Sequence, residues 1–596
     1  MWKLAVLFFA AALVCDAHDA HGRSTAPPEA RLLKSPLPAA DEHAAAAKPS
    51  YEQLCAGCHG ADGKARTPLA GKLPVRPTNL ANYLMESMRD GEIFWVVTNG
   101  IEKSMPAFEN QLSETARWQM VQYVRELRSH QHAIEKEQLG PYTWELPPGF
   151  PFPNVPRDNP MTAEKVQLGR YLFYDRRVSL NQTQACATCH RQELAFTDGR
   201  ARGVGSTGEV HPRGPMSLVN VAYSPALTWA NPNVRRLEDQ ALVPMFGEDP
   251  VELGMTGKED LLARRLKAVP VYQKLFAAAF PGETDPFTIG NITKAIASFE
   301  RTILSGDSPY DRYRLGDDPA AISESAKHGE ALFFSERLEC FHCHGGFNFT
   351  GTVDYFDKGF AEVEFHNTGL YNVAGKHSYP QPNLGLYVFT QQEEDVGKFK
   401  APTLRNIAVT APYMHDGSVK TLDGVIEHYR SGGRTVKTGP NAGIGAENPN
   451  KSEFVKAFTL SAQEKTDLLA FLRSLTDESL LSNAKLSNPW APNVSRQRAA
   501  PPPAASRYVL HGRVVRVYAA EGMISLYHDA VPGLMAEMKA PYTMVFLVAD
   551  RKQLDPLKAG QVVSALVRRQ GHDYVLDDLR PVPNSEPAEQ KGKVSK

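Results

Sequence analysis

Net charge is almost absent from this chain: 66 Lys+Arg stand against 67 Asp+Glu in 596 residues, a formal −1. No overall field therefore draws it to nucleic acid or to an anionic membrane surface. Long apolar runs are also missing. Beyond Val14 no stretch approaches the ~20 consecutive apolar residues of a spanning helix, so no membrane span is expected. Cysteine is scarce, seven in all, and apart from Cys15 every one belongs to a closely spaced pair. At 42% hydrophobic and 22% charged residues, the composition is that of an ordinary soluble globular protein. At roughly 150 residues per domain, the length suggests about four units.

Lys3, the apolar run Leu4 to Val14 and the small-residue pattern Cys15-Asp16-Ala17 read as a signal peptide over residues 1–17, sending the mature chain to the periplasm. Lipoprotein anchoring at Cys15 is disfavoured, because Val14 stands where a small residue should precede a lipidated cysteine. The six remaining cysteines form Cys55-Ala-Gly-Cys58-His59, Cys186-Ala-Thr-Cys189-His190 and Cys340-Phe-His-Cys343-His344. Two thiols at this spacing add across the two vinyl groups of one haem, and the adjacent histidine ligates its iron. A disulfide framework or a zinc site would use six cysteines equally well. Neither explains a histidine directly after all three pairs, so three c-type haems are expected.

Residues 18–48, rich in Ala, Pro and His, read as a leader or linker, with order beginning near Tyr51. From 49 to 131 the first haem motif is followed by Ser104-Met105-Pro106-Ala107-Phe108 and a helical pattern, which resembles a small monohaem cytochrome c. The resemblance makes His59 and Met105 the two ligands of the first iron. Thioether ligation raises the potential and leaves no face open to substrate. Residues 145–485 hold the other two motifs. Residues 486–506 read as a proline-stiffened linker, 507–582 alternate as short strands of a small barrel, and 583–596 read as a disordered tail. The expected fold is mainly α: three cytochrome c-like haem units, one separate and two forming a di-haem core, with a small C-terminal all-β barrel.

The phrases Ala195-Phe-Thr-Asp-Gly-Arg200, Phe399-Lys-Ala-Pro-Thr-Leu-Arg-Asn406 and Thr410-Ala-Pro-Tyr-Met-His-Asp-Gly417 resemble the di-haem cytochrome c peroxidase and MauG family. Leu227-Thr-Trp-Ala-Asn-Pro232 and Cys340 to Phe349 look most like its MbnH branch, whose namesake oxidises a tryptophan on a copper-binding protein. Family peroxidases carry a distal histidine about sixteen residues after the motif histidine, where this chain has Ser206. His211 could replace it only by a loop shift, and Pro212 restricts its backbone, so an always-open haem is expected at His190. The resemblance also names Glu252 as the acid-base group for peroxide cleavage, with Gln240 and Pro244 in the distal pocket and Glu248 as the alternative carboxylate. Fourteen residues beyond His415 stands Tyr429, where MauG and its relatives use tyrosine as the second ligand of the other iron and classical peroxidases use methionine. An oxygen ligand favours the oxidised iron. Trp229 matches the family's inter-haem tryptophan. Thr410 and Pro412 match carbonyl donors of its calcium site, although Gly214 replaces the family's asparagine there.

Tyr527-His528-Asp-Ala-Val-Pro-Gly-Leu-Met535-Ala-Glu-Met538, followed by Met544, resembles the CusF-type copper-binding barrel. His528, Met535, Met538 and Met544 are the expected ligands, since thioether and imidazole donors suit Cu(I). The barrel has no tryptophan of its own. It is expected to be separable, binding one Cu(I) alone and leaving peroxide activation intact when removed.

Two functions follow. One is a peroxide-driven oxidase of a protein side chain, linked to copper handling and acting on a copper-binding protein substrate or redox partner. The alternative is a peroxidase that reduces peroxide to water with electrons from the fused cytochrome. A passive electron conduit is disfavoured, because an open haem beside an acid has little use in electron transfer alone.

Overall fold

The computed structural model describes residues 26–490 and 507–582, apart from short interruptions at 74–76, 83–84, 86–87, 102–103, 139–141, 317, 359–360, 520, 532–533, 536–542 and 571–572. The expected signal peptide 1–17, linker residues 491–506, the tail 583–596 and Met538 lie outside the described residues. No described helix is long and apolar enough to cross a membrane.

One packing device recurs in the two halves of the core: a helix ahead of the haem motif crosses a helix well beyond it at backbone contact distance. Ala163–Phe173 crosses Ile289–Glu300, and Glu324–Phe333 crosses Ala462–Ser474. Glycine permits both crossings. A Cβ on Gly169 would lie 1.8 Å from the Ala295 carbonyl oxygen, and one on Gly329 would lie 2.0 Å from that of Asp467. Ser323 and Ser461 cap their helices by accepting from the Ala326 and Glu464 amides, which removes orphan donors at those ends. Gly169→Ala is expected to lower core stability by about 1–3 kcal/mol, the usual cost of overpacking. An unchanged denaturation midpoint of the haem-loaded protein would contradict this reading of the crossing.

In the N-terminal unit the corresponding pair is Asp41–Leu54 against Glu114–Gln138, with the small residues Ala44 and Ala47 and the ring of Tyr51 buried between them. The expected leader is therefore corrected. Residues 41–48 are the first half of this helix, and Pro28–Leu32 forms a short 3-10 turn whose Ala30 is buried and whose Arg31 pairs with Glu92 at 3.1 Å. Alanine-rich composition looked disordered, but small side chains are what a close helix crossing needs. This unit docks on the core through Lys64 and Arg66, which clasp Asp357 at 3.1 and 3.0 Å, and through Arg89, which donates to the Gly316 carbonyl at 3.0 Å.

The expected linker is also corrected at its start. Leu486 is buried, and the Trp490 indole donates to the Tyr171 carbonyl at 3.0 Å between the rings of Tyr171 and Tyr272 and the guanidinium of Arg177. Residues 486–490 thus belong to the core. The C-terminal unit is a closed five-stranded barrel in which Tyr508–Tyr518 pairs with both Met523–His528 and Val562–Gln570, and Met544–Val548 joins Met523–His528 to Asp573–Pro581. It is not set apart as a loosely tethered module. Tyr518, Met523, Val545 and Leu547 pack on Val204 and Val210 of the core, and Arg202 pairs with Glu521.

Candidate active site

All six motif cysteines are free, with no disulfide within or between pairs. Burial pushes the Cys55 thiol up to about 11 and that of Cys340 up to about 12, so neither is a reactive thiolate at neutral pH. Among the described residues, the one triad of His, Cys or carboxylate groups close enough to share a metal ion is Glu336, Glu339 and His342, which contains no cysteine. The disulfide and zinc readings therefore find no support, while the residues fit haem.

The three motif histidines share an arrangement that suits an iron ligand. His59 Nδ1 donates to the Thr78 carbonyl at 2.8 Å, His190 Nδ1 to that of Phe196 at 2.8 Å, and His344 Nδ1 to that of Phe349 at 3.1 Å. Such a bond fixes the tautomer and leaves Nε2 as the donor to metal. Burial holds all three imidazoles below their ordinary pKa, His344 at about 4, which favours the neutral form that a metal ligand requires. Phe196 and Phe349 reach these positions through left-handed backbone, φ 60° and 49°, which bends each chain back over its own histidine. Met105 packs on the same apolar cluster as Cys55. The chain reaches it through Gly100 at φ 71°, where a Cβ would meet the Met105 carbonyl oxygen at 2.4 Å.

Around the third motif lies a cavity of about 240 Å³ whose walls include Cys340, Cys343, His344, Tyr429 and Trp229. Tyr429 sits on the helix Leu422–Arg430, started by Thr421, whose side chain accepts from the Gly424 amide. Burial raises its hydroxyl well above the ordinary phenol pKa. Trp229 is held by its indole N–H, which donates to the Gly214 carbonyl at 2.8 Å. Thr410, Pro412 and Gly214 line the same cavity; the Gly214 carbonyl is taken by Trp229, and no side chain there replaces the family's asparagine.

At the second motif, Gln240 and Pro244 lie one turn apart on the helix Leu237–Phe246, and the Leu253 amide donates to the Pro244 carbonyl at 2.8 Å, bringing Glu252 alongside. Glu238 anchors this helix through a buried bidentate pair with Arg301 at 2.9 and 3.0 Å. Burial pushes the Glu252 carboxyl up to about 7, and its charge is felt at Cys186 and Cys189. Glu248 is exposed, whereas Glu252 is half-buried. Ser206 is buried beside Glu252, its amide donating to the Glu252 carbonyl at 2.6 Å. His211 is turned onto the backbone of Arg213, whose N–H donates to its Nδ1 at 3.1 Å.

In the barrel, His528 is buried. Its Nδ1 donates to the Asp529 carbonyl at 2.8 Å, and its Nε2 is buried with no partner. Met544 is in the barrel core and Met535 packs against it. The His528 ring meets that of Phe546, a member of the same core as Met544, at 5.5 Å between centroids; imidazole and thioether are donor types that suit a soft cation.

Three groups escaped the sequence reading. Lys400 is buried in the wall of the Tyr429 cavity, donates to the Ser224 hydroxyl at 3.1 Å and has its amine lowered by burial to about 8. Glu300 is buried with an unpartnered Oε2, and burial pushes it up to about 8. Asn181 bridges the core and the barrel, donating to the Ser206 and Thr543 carbonyls at 2.7 and 2.9 Å. Lys400 stands in a phrase that carries the family resemblance, but nothing in the local sequence gives any of the three a role, because their surroundings come from distant segments.

Residues 163–319 match the family described as di-haem cytochrome c peroxidase, 42–124 match cytochrome c oxidase, cbb3-type, subunit III, and 507–581 match the copper binding periplasmic protein CusF. Methylamine utilization protein MauG of Methylorubrum extorquens is 36% identical over 325 residues, 54% of this chain and 81% of the relative. Cytochrome-c peroxidase IdrP1 of Pseudomonas sp. (strain SCT) is 35% identical over 351 residues, 55% of this chain and 86% of the relative. Among solved structures, a MauG-like protein associated with microbial copper homeostasis is 47% identical, with 59% of this chain and 100% of that one covered at a TM-score of 0.58.

Proposed function

The chain belongs to the di-haem cytochrome c peroxidase and MauG family, and on that premise we propose that this peroxide-dependent haem oxidoreductase oxidises a side chain of a copper-binding protein in the periplasm. The observation that carries the proposal is the shared cavity: Tyr429, where peroxidases have methionine, and Trp229 line one space with the Cys340–His344 motif. When bound, haem supplies peroxide coordination and the electrons of its reductive cleavage. We assign the three motifs to three c-type haems: His59 and Met105 would supply ligands to the first iron, His344 and Tyr429 to the third, and His190 to the second, the one that would take peroxide.

Cleaving peroxide to water takes two electrons and two protons. Glu252, poised near neutrality by burial, accepts the proton from the inner peroxide oxygen and returns it to the outer one as the O–O bond breaks. Gln240 and Pro244 wall the pocket, and the Glu238–Arg301 pair keeps their helix in place. Trp229, fixed by its bond to Gly214, lies on the route to the Tyr429 side. The two electrons then come from the protein substrate. We assign the barrel to Cu(I) through His528, Met535, Met538 and Met544. Calcium at Thr410 and Pro412 has less support, because Gly214 brings no side-chain donor.

A single-turnover experiment tests this. One equivalent of peroxide is added to the oxidised, haem-loaded protein with a copper-binding partner and no reductant. Oxidation of one partner tryptophan or tyrosine, read by mass spectrometry, is the expected result; an unmodified partner together with rapid turnover in the presence of reduced cytochrome would select the peroxidase alternative.

The docked cytochrome favours that second reading. The Asp357 clasp holds the His59 unit against the half of the core that carries the His344 motif, as an internal electron donor requires. Asp357→Lys removes two partly exposed ion pairs, each worth up to about 1 kcal/mol, and is expected to slow electron transfer from the first haem into the core about threefold to tenfold. Stopped-flow reduction followed at both haems checks this, and equal rates would mean that the clasp plays no part in transfer.

A further inference from the structure

The strands Met523–His528 and Met544–Val548 turn one face into the barrel core and the other to the core domain. Side chains alternate along a strand, so Ile524, Leu526, Met544 and Phe546 point into the barrel core, while Met523, Val545 and Leu547 face the core domain and pack on Val204 and Val210. Met523–His528 is buried at five of its six residues, because both faces are covered.

Thr543, directly before Met544, is the contact point. Its hydroxyl donates to the Thr207 carbonyl at 3.0 Å, and its own carbonyl accepts from the Asn181 amide at 2.9 Å. The same Asn181 amide donates to the Ser206 carbonyl at 2.7 Å, and the Ser206 N–H donates to the Glu252 carbonyl at 2.6 Å. Three hydrogen bonds and one peptide link thus join a soft-metal donor to the proposed acid-base residue. Beside them, a cavity of about 40 Å³ is lined by Met523 and Met544 from the barrel and by Gln184 and Thr188 from the second haem motif and its lead-in.

We propose that soft-metal binding in the barrel sets ligand affinity in the His190 pocket through Thr543, Asn181 and Ser206, making Cu(I) an effector of the peroxide reaction. The proposal rests on the reading that the barrel binds Cu(I) and that the His190 haem has an open face. Drawing His528, Met535 and Met544 onto one ion fixes the start of the strand that carries Thr543. Thr543 and Ser206 are both buried, so losing a bond between the segments leaves a buried polar group unpaired, and the partner moves instead. Linkage requires the effect to be reciprocal.

The test uses the full-length, haem-loaded, oxidised protein in chloride-free buffer. Ag(I) serves as a redox-silent soft metal and fluoride as the ligand of the open haem, titrated by visible absorption. One Ag(I) per chain by native mass spectrometry should change the fluoride Kd about fivefold or more, and saturating fluoride should change the Ag(I) affinity by the same factor. Asn181→Ala should still bind Ag(I) but bring that ratio close to one, while His528→Ala should lose both the metal and the effect. An unchanged fluoride Kd with Ag(I) bound overturns the coupling and leaves the copper reading standing. A ratio unaltered in Asn181→Ala overturns the route. If the parent binds no Ag(I), the copper reading has failed, and if fluoride leaves the spectrum unmoved, the open-haem reading has failed; the coupling falls with either.

Discussion

Glu252→Gln is expected to slow peroxide cleavage by about 10²-fold or more, the usual scale of general acid-base catalysis, with haem content equal to that of the parent. Glutamine keeps the shape and the hydrogen-bonding capacity of the side chain but cannot take up a proton. The pH profile gives a second readout. Burial pushes Glu252 up to about 7, and a base must be ionised to accept the first peroxide proton. The rate should therefore fall about tenfold per unit as pH drops below about 7 and level off above it, and the acid limb should vanish in the glutamine variant. Stopped-flow mixing with peroxide across pH 5 to 9 measures both. If Glu248→Gln abolishes the limb and Glu252→Gln leaves it, the wrong carboxylate carries the role, despite the exposure of Glu248.

Tyr429→Met tests the other half of the site. Replacing the phenol oxygen with a thioether stabilises reduced iron, so the oxidised form left by one equivalent of peroxide should decay about tenfold faster or more, and modification of a protein partner should be lost. Steady-state reduction of peroxide with reduced cytochrome should survive, since methionine is the ligand that classical peroxidases place there. Equal lifetimes in variant and parent would remove Tyr429 from the assignment. The variant should keep its haems, because attachment depends on Cys340 and Cys343 and on the His344 ring held by Phe349.

The modules share one solution to a common problem. Each core haem motif lies in sequence between two helices that cross at backbone contact, with Gly169 or Gly329 at the crossing. The N-terminal unit does the same with Ala44 and Ala47. Left-handed residues then bring a carbonyl onto each core motif histidine, so that ligand orientation depends on a few local torsions.

Much of the chemistry was legible in the linear chain because it is local. The thiols and the histidine of each motif are covalent neighbours, so spacing alone identifies a haem attachment site. The barrel strands announce themselves by alternation. Glu252 could be named from a resemblance, but its elevated pKa comes from the segments that bury it. The tertiary structure alone decided the rest. Asn181 meets Thr543 across 362 residues, Lys64 meets Asp357 across 293, and Trp490 closes onto Tyr171 from what reads as linker. Composition describes what a segment can do by itself, whereas docking depends on complementary surfaces assembled from strands and loops that are remote in sequence. That is why residues 41–48 of the alanine-rich leader form part of a packed helix, and why the barrel packs on Val204 and Val210 of the core.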